Sequence, residues 1–133
     1  MKKLQEFVDS NGVDVVPVSS SEIDKAQQEL NLKFDSAYLS YLNICGQLEF
    51  EYLEFYGLGV KPNSYLNVVK NYQELSQSNT YPQTALPILD LGDGHYSLYD
   101  LVTGHVVEWT KDGVIRELNS GLEQYLLDVV HAV

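Results

Sequence analysis

Three turn signals divide residues 86–118 into short runs rich in valine, isoleucine, leucine, tyrosine and tryptophan. The signals are Gly92-Asp93-Gly94, Thr103-Gly104 and Asp112-Gly113, which supply the positive φ angles that tight reversals require. The runs between them have ordinary strand length. The segment therefore predicts a four-strand antiparallel β-meander near the C-terminal end of the chain.

Apolar residues at helical spacing predict short helices around this meander. A capping box at Ser19-Ser20-Ser21-Glu22 begins the second helix, and Asp35 is placed to cap the third. From Leu48 the apolar period changes to two and its phase breaks near Tyr52-Leu53, which predicts two short strands joined by a bulge or a tight turn. The predicted helices cover residues 2–10, 19–31, 35–46, 66–76 and 122–130, with Asn63 or Ser64 capping the fourth and Asn119 or Ser120 the fifth.

The predicted fold class follows from this order of elements. It is α+β: a mixed, mainly antiparallel sheet of about six strands with a C-terminal meander, packed against four to five short helices. A length of 133 residues with 44% apolar content suits one domain over residues 1–133. No apolar run is long enough for a membrane helix, and the start lacks the apolar core of a signal peptide, so a cytoplasmic location is expected.

The charge balance indicates which classes of molecule the chain is expected to bind. The chain carries 19 acidic and 8 basic residues, a formal net charge of −11 at pH 7. The basic residues form no cluster beyond Lys2-Lys3, so neither nucleic acid nor an anionic membrane is an expected partner. An acidic surface favours fast, salt-sensitive association with a basic protein. Simple solubility is the alternative explanation of the charge.

An enzymatic function has weak support. The densest titratable cluster contains Asp90, Asp93, His95 and Asp100, whose spacing matches neither a calcium-binding loop nor a zinc module. We expect these aspartates to stabilise turns and strand ends. A small acid-base enzyme using Asp90 and Asp100 remains an alternative.

Nucleophilic catalysis also lacks a candidate. Cys45, the only cysteine, is predicted at a helix C-terminus, where the macrodipole raises a thiol's pKa, and we expect it to be buried and inert. His105 is predicted on a strand and His131 in the last turn of the final helix, and neither shows a partner. We therefore expect no catalytic residue, no cofactor and no metal.

Ten tyrosines exceed what a core of this size requires, and tyrosine is enriched at binding hot spots. Tyr38, Tyr41, Tyr72 and Tyr125 lie on inner helical stripes and are predicted to pack in the core. The tyrosines on the predicted strands, at positions 52, 56, 96 and 99, stand among acidic residues instead, a mixture suited to a basic protein. The predicted partner-binding residues are Glu49, Glu51, Tyr52, Glu54, Tyr56, Asp93, Tyr96 and Asp100.

The order helix, helix, helix, strand pair, helix, meander, helix resembles the SUKH superfamily. The resemblance covers residues 18–130 and is carried by VSSSEIDKAQQELNLKFDSAYLSYLNICGQL, LEFYGLG, LPILDLGDGHYSLYDLVTGHVVEW and GLEQYLLDVV. These are patterns of apolar residues, glycines and aspartates. The chain departs from the family at Lys33-Phe34, where Leu-Pro is frequent, and at Ile44-Cys45-Gly46, where Asn-Gly-Gly is frequent, which leaves the subfamily open.

The resemblance implies an α+β domain without a fixed set of catalytic residues. Bacterial members are mainly immunity proteins that bind and neutralise polymorphic toxins, and fungal members look like cell-wall assembly regulators. We therefore expect an immunity protein whose acidic, tyrosine-bearing face occludes a cationic toxin, and the expected toxin is a nuclease. The alternative is a non-enzymatic regulatory scaffold that binds another cellular protein. The oligomeric state stays open.

Overall fold

The computed structural model describes residues 1–16 and 18–133. Within these residues the chain forms five helices, a two-stranded sheet and a four-stranded sheet, which confirms the predicted α+β class and the six strands. The strands belong to two antiparallel sheets, and the parallel contact is an isolated bridge between Gly57 and Asn67. The elements are α1 Lys2–Asn11, α2 Ser20–Leu30, α3 Ser36–Ile44, β1 Glu49–Phe50, β2 Leu53–Glu54, α4 Val68–Leu75, β3 Ala85–Gly92, β4 His95–Asp100, β5 Val106–Thr110, β6 Gly113–Leu118 and α5 Leu122–His131.

The predicted meander is confirmed. Its strands pair in the order β3-β4-β5-β6, each antiparallel to the next. All three turn signals supply left-handed backbone: φ is 52° at Asp93, 73° at Gly104 and 125° at Gly113. Because these reversals depend on local residues alone, the sequence was sufficient to predict them.

Two of the predicted helix caps are confirmed. The Ser19 side chain accepts from the backbone N–H of Glu22, and Asp35 accepts from that of Tyr38. Each side chain satisfies a backbone donor that has no partner within its own helix. Local sequence therefore determines where α2 and α3 begin.

The predicted caps of α4 and α5 are wrong. Asn67 caps α4, accepting from the N–H of Lys70, because the bridge to Gly57 holds Asn67 itself extended, directly before the first helical residue. Gly121 precedes α5 and caps it with backbone only. Ser120 is unsuited to that place, since its carbonyl accepts from the N–H of Val106 on the meander. In both cases a contact distant in sequence decides where the helix begins.

The hydrophobic core contains residues from every helix and from both sheets. Trp109 on β5 is fully buried, and Tyr81 lies edge-on against it with ring centroids 5.0 Å apart. No helix among the described residues has the length and apolar content needed to cross a membrane. The four tyrosines predicted to pack, at positions 38, 41, 72 and 125, are all buried.

The strand pair β1–β2 is attached rigidly to α3. The hydroxyl of Tyr41 donates to the carbonyl of Tyr56 at 2.7 Å and accepts from the N–H of Leu48 at 3.2 Å. The buried Gln47 amide adds bonds to the carbonyls of Leu48 and Phe55. A Cβ on Gly57 would lie 2.2 Å from the carbonyl oxygen of Gly46, so this close approach requires glycine. These contacts fix where the exposed end of the hairpin projects.

Candidate functional site

The β1–β2 hairpin presents its turn to solvent. Phe50 pairs with Leu53, so Glu51 and Tyr52 form a two-residue reversal. Glu51 has φ of 55°, which is unfavourable for a residue with a Cβ, and the Tyr52 side chain is 78% exposed. A strained non-glycine turn that carries an exposed aromatic ring is typical of a binding feature.

Two carboxylates face one another across this hairpin. Glu49 and Glu54 are direct cross-strand partners, an arrangement that is unfavourable between like charges. Burial raises the pKa of Glu49, and the neighbouring Glu54 raises it further. The Tyr65 hydroxyl donates to the Glu54 carboxylate, and this bond raises the pKa of Tyr65. The hairpin therefore concentrates negative charge that nothing within these contacts neutralises.

The ion pairs of the described residues do not involve the hairpin. Within residues 1–16 and 18–133, the ion pairs are Lys25–Glu29 and Arg116–Glu108. Neither pair includes a hairpin carboxylate. The charge at Glu49 and Glu54 is therefore available to a partner.

A groove separates the hairpin from the C-terminal half of β3. We call it the hairpin groove; its volume is about 530 Å³. Its apolar walls include Leu53, Leu66 and Leu89, and the carboxylates of Glu54 and Asp90 line it. No lysine or arginine is among the lining residues that the structure describes. The groove thus combines an apolar interior with negative charge.

Tyrosine rings complete the hairpin groove. Tyr52 and Tyr65 stand at its margin, and Tyr65 is 64% exposed. Tyr56 is buried and contributes to the lining. Burial raises the pKa of Tyr56, and the charges of Asp90, Tyr96 and Glu74 raise it further. Since Asp90 and Tyr96 are cross-strand partners, the acidic and aromatic surface continues from the hairpin across β3 onto β4.

The structure brings part of the predicted partner-binding set together. Tyr96 is half-buried on β4, and Asp93 is exposed in the turn that follows the Gly92 end of the groove. Asp100 lies at the other end of β4, away from the groove, and its carboxylate accepts from the Thr84 hydroxyl and the Val102 N–H, both at 2.9 Å. Four predicted residues share the hairpin, and a fifth, Tyr56, lies two residues after its end: Glu49, Glu51, Tyr52, Glu54 and Tyr56.

Several residues of this surface lie outside the predicted partner-binding set. Tyr65 lies in the loop before α4, where no apolar period exists to place it, and Leu91 shows no signal of its own. The sequence predicts that Asp90 stabilises a turn or strand end, with an acid-base role as the alternative. These residues approach the hairpin through tertiary contacts, and no local pattern could have identified them. Tyr99, one of the four tyrosines on the predicted strands, is buried, and its hydroxyl donates to Asp35 at 2.6 Å.

The candidate chemical groups do not converge. Asp90 pairs with Tyr96 and Asp100 with Ala85, which places the two carboxylates at opposite ends of the β3–β4 pair. In the part of the chain that the structure describes, no three His, Cys, Asp or Glu side chains gather as metal ligands would. The acid-base alternative therefore has no shared site for Asp90 and Asp100.

The cysteine and the histidines do not form a nucleophilic site either. Cys45 is buried, and burial raises the pKa of its thiol to about 12, which keeps it protonated at neutral pH. His105, predicted on a strand, lies exposed in the turn immediately before β5. His131 lies in the last turn of α5, and its ring packs edge-on against Phe7 with centroids 5.6 Å apart.

Comparison with known proteins agrees with this fold. The SUKH_5 family model, described as SMI1-KNR4 cell-wall, matches residues 1–131. The chain is similar to a protein from Pseudomonas syringae pv. tomato of known crystal structure, with a TM-score of 0.71 and 15% identity over 90% of this chain and 91% of that one. At this identity the likeness shows the fold alone, and no curated protein matches the sequence. Since the family model spans nearly the whole chain, the protein belongs to the SUKH superfamily.

Proposed function

We propose that this protein is an immunity protein that binds a cationic toxin and occludes its active surface. The observation that carries the proposal is the hairpin itself. It carries the carboxylates of Glu49, Glu51 and Glu54 beside the exposed Tyr52, and these carboxylates form no ion pair within the described chain. Family membership supports the class of function, since SUKH members include toxin immunity proteins.

The mechanism is electrostatic and steric. The net charge of −11 attracts a basic partner from a distance, and the hairpin surface then supplies the contacts. Tyr52 and Tyr65 provide large aromatic areas at low entropic cost, while Glu49 and Glu54 become paired with cations that the partner contributes. An interface of about 1,600 Å² in total would cover this surface and exclude substrate.

A nuclease is the toxin class that fits best. A nuclease must bind phosphates and therefore presents a basic active surface. A protein that displays carboxylates among aromatic rings competes directly for that surface. Because a nuclease toxin acts on intracellular nucleic acid, we place this inhibition in the cytoplasm.

Growth protection tests the proposal. The toxin encoded next to this gene is co-expressed with the wild type or with the triple variant Glu49→Lys, Glu51→Lys and Glu54→Lys. We expect the wild type to restore growth and the triple variant to fail, because charge reversal repels the basic toxin.

A matched control separates the hairpin from net charge. The variant Glu6→Lys, Asp9→Lys and Asp24→Lys makes the same charge change at exposed positions of α1 and α2. It should protect growth as the wild type does. Equal protection by both triple variants would exclude the hairpin as the toxin-binding surface.

The family description favours a second candidate. The matching model is described as SMI1-KNR4 cell-wall, which is consistent with a regulatory scaffold that binds a cellular protein. The same acidic surface would serve that role. If no neighbouring open reading frame is toxic, yet the hairpin variant loses a cellular partner that the control variant keeps, the regulatory function is favoured.

A further inference from the structure

The hairpin groove has walls of a particular chemistry. Two exposed tyrosine rings, Tyr52 and Tyr65, stand at its margin, and Leu66 and Leu89 line it. The Asp90 carboxylate lies exposed on the β3 side. Aromatic faces, an apolar interior and carboxylates without a cation together form a complementary site for one flat, positively charged group.

We propose that the hairpin groove binds an arginine side chain of the basic partner. This inference rests on the proposed function and names the residue type by which the partner anchors. A guanidinium is planar, stacks on tyrosine faces and donates two parallel hydrogen bonds to a carboxylate. Its methylene stem would lie against Leu66 and Leu89.

Arginine fits this groove better than lysine does. An ammonium group is compact and strongly hydrated, so it gains less from aromatic and apolar walls. The guanidinium is weakly hydrated and can contact Asp90 on one wall and Glu54 on the other. At Glu54 it would also relieve the repulsion from Glu49 across the hairpin.

A second groove on the other side of the hairpin provides a comparison. It lies between Leu53 and α5, has a volume of about 620 Å³, and contains Glu117 and Asp128. Its additional tyrosine, Tyr125, is buried and bonded through its hydroxyl to Ser97. This groove offers similar charge with fewer free aromatic faces, so it serves as the internal control.

The test uses the full chain labelled with nitrogen-15 and three blocked tripeptides. Their central residue is arginine, lysine or citrulline, which has nearly the shape of arginine without its charge. We expect saturable shifts of the amide signals of Leu53, Leu66 and Gly92 with the arginine peptide, with a Kd on the order of 1 mM. Lysine should bind at least about threefold more weakly, and citrulline should not saturate.

Two substitutions locate the site. Asp90→Asn keeps the oxygen that accepts from the Gly92 N–H at 2.8 Å, so the turn is preserved while the charge is lost. Asp90→Asn should raise the Kd of the arginine peptide at least about threefold. Tyr65→Ser, at an exposed position, should raise it by a similar factor. Asp128→Asn makes the same charge change in the second groove and should leave the affinity unchanged.

Several results would overturn the inference. These are equal binding of the citrulline peptide, shifts centred on the second groove, or an Asp90→Asn variant that binds like the wild type. The toxin complex separates this failure from failure of the proposed function. If the hairpin triple variant loses the toxin while Asp90→Asn and Tyr65→Ser keep full affinity, the arginine site is wrong and the proposed function stands. If all variants bind alike, both are wrong.

Discussion

At the scale of single residues, two neighbouring buried tyrosines make opposite contributions to stability. Tyr41 makes two hydrogen bonds to the backbone of the hairpin segment, whereas the Tyr38 hydroxyl has no partner among the described residues. An unpaired buried hydroxyl incurs a desolvation cost that a paired one recovers. Burial accordingly raises the pKa of Tyr38 well above its ordinary value.

This difference predicts opposite effects of one substitution. Tyr38→Phe should raise the free energy of unfolding by about 1 kcal/mol, because it removes an unpaired polar group. Tyr41→Phe should lower it by about 2 kcal/mol, because it leaves a buried N–H and a buried carbonyl with one partner fewer. Urea unfolding of both variants measures the two values. A loss at Tyr38 equal to that at Tyr41 would mean that the Tyr38 hydroxyl has a bonding partner after all.

At the scale of elements, the turn of the β1–β2 hairpin contains a strained backbone conformation. Glu51 adopts a left-handed conformation, which costs a residue with a Cβ roughly 1 kcal/mol relative to glycine. Glu51→Gly should therefore raise the free energy of unfolding by about that amount. Glu51→Gln removes the same charge and keeps the strain, so it should change stability little. If Gly and Gln at this position gave equal urea midpoints, the turn would not be strained.

The elements differ in whether local sequence is enough to predict them. The meander and the Ser19 and Asp35 caps depend on neighbouring residues, so local patterns predicted them. The start of α4 depends on the bridge between Gly57 and Asn67, which joins residues that no local rule connects. The hairpin groove has the same origin, since Tyr65 approaches the hairpin only once the chain has folded. The acidic charge and the position of four acidic or aromatic residues on one strand pair were therefore predictable from sequence. The groove beside them was not.

At the scale of the whole molecule, acidic charge and local geometry act together. In the proposed complex, long-range attraction would depend on the net charge of −11, to which every exposed carboxylate contributes. Short-range recognition would depend on the hairpin, whose carboxylates form no ion pair among the described residues and lie beside exposed tyrosines. At 0.1 M ionic strength salt largely screens charges more than about 10 Å apart and weakens close contacts less, so the two contributions can be separated by measurement.

The association rate of the purified toxin complex, measured at increasing salt, tests the central claim most directly. We expect the wild-type rate constant to fall steeply with ionic strength. For the variant Glu49→Lys, Glu51→Lys and Glu54→Lys, the association rate constant should be at least about tenfold lower at low salt and should depend less on salt. The rate constant of the control variant on α1 and α2 should stay closer to that of the wild type. Identical rates and salt slopes for the wild type and the hairpin variant would contradict the account.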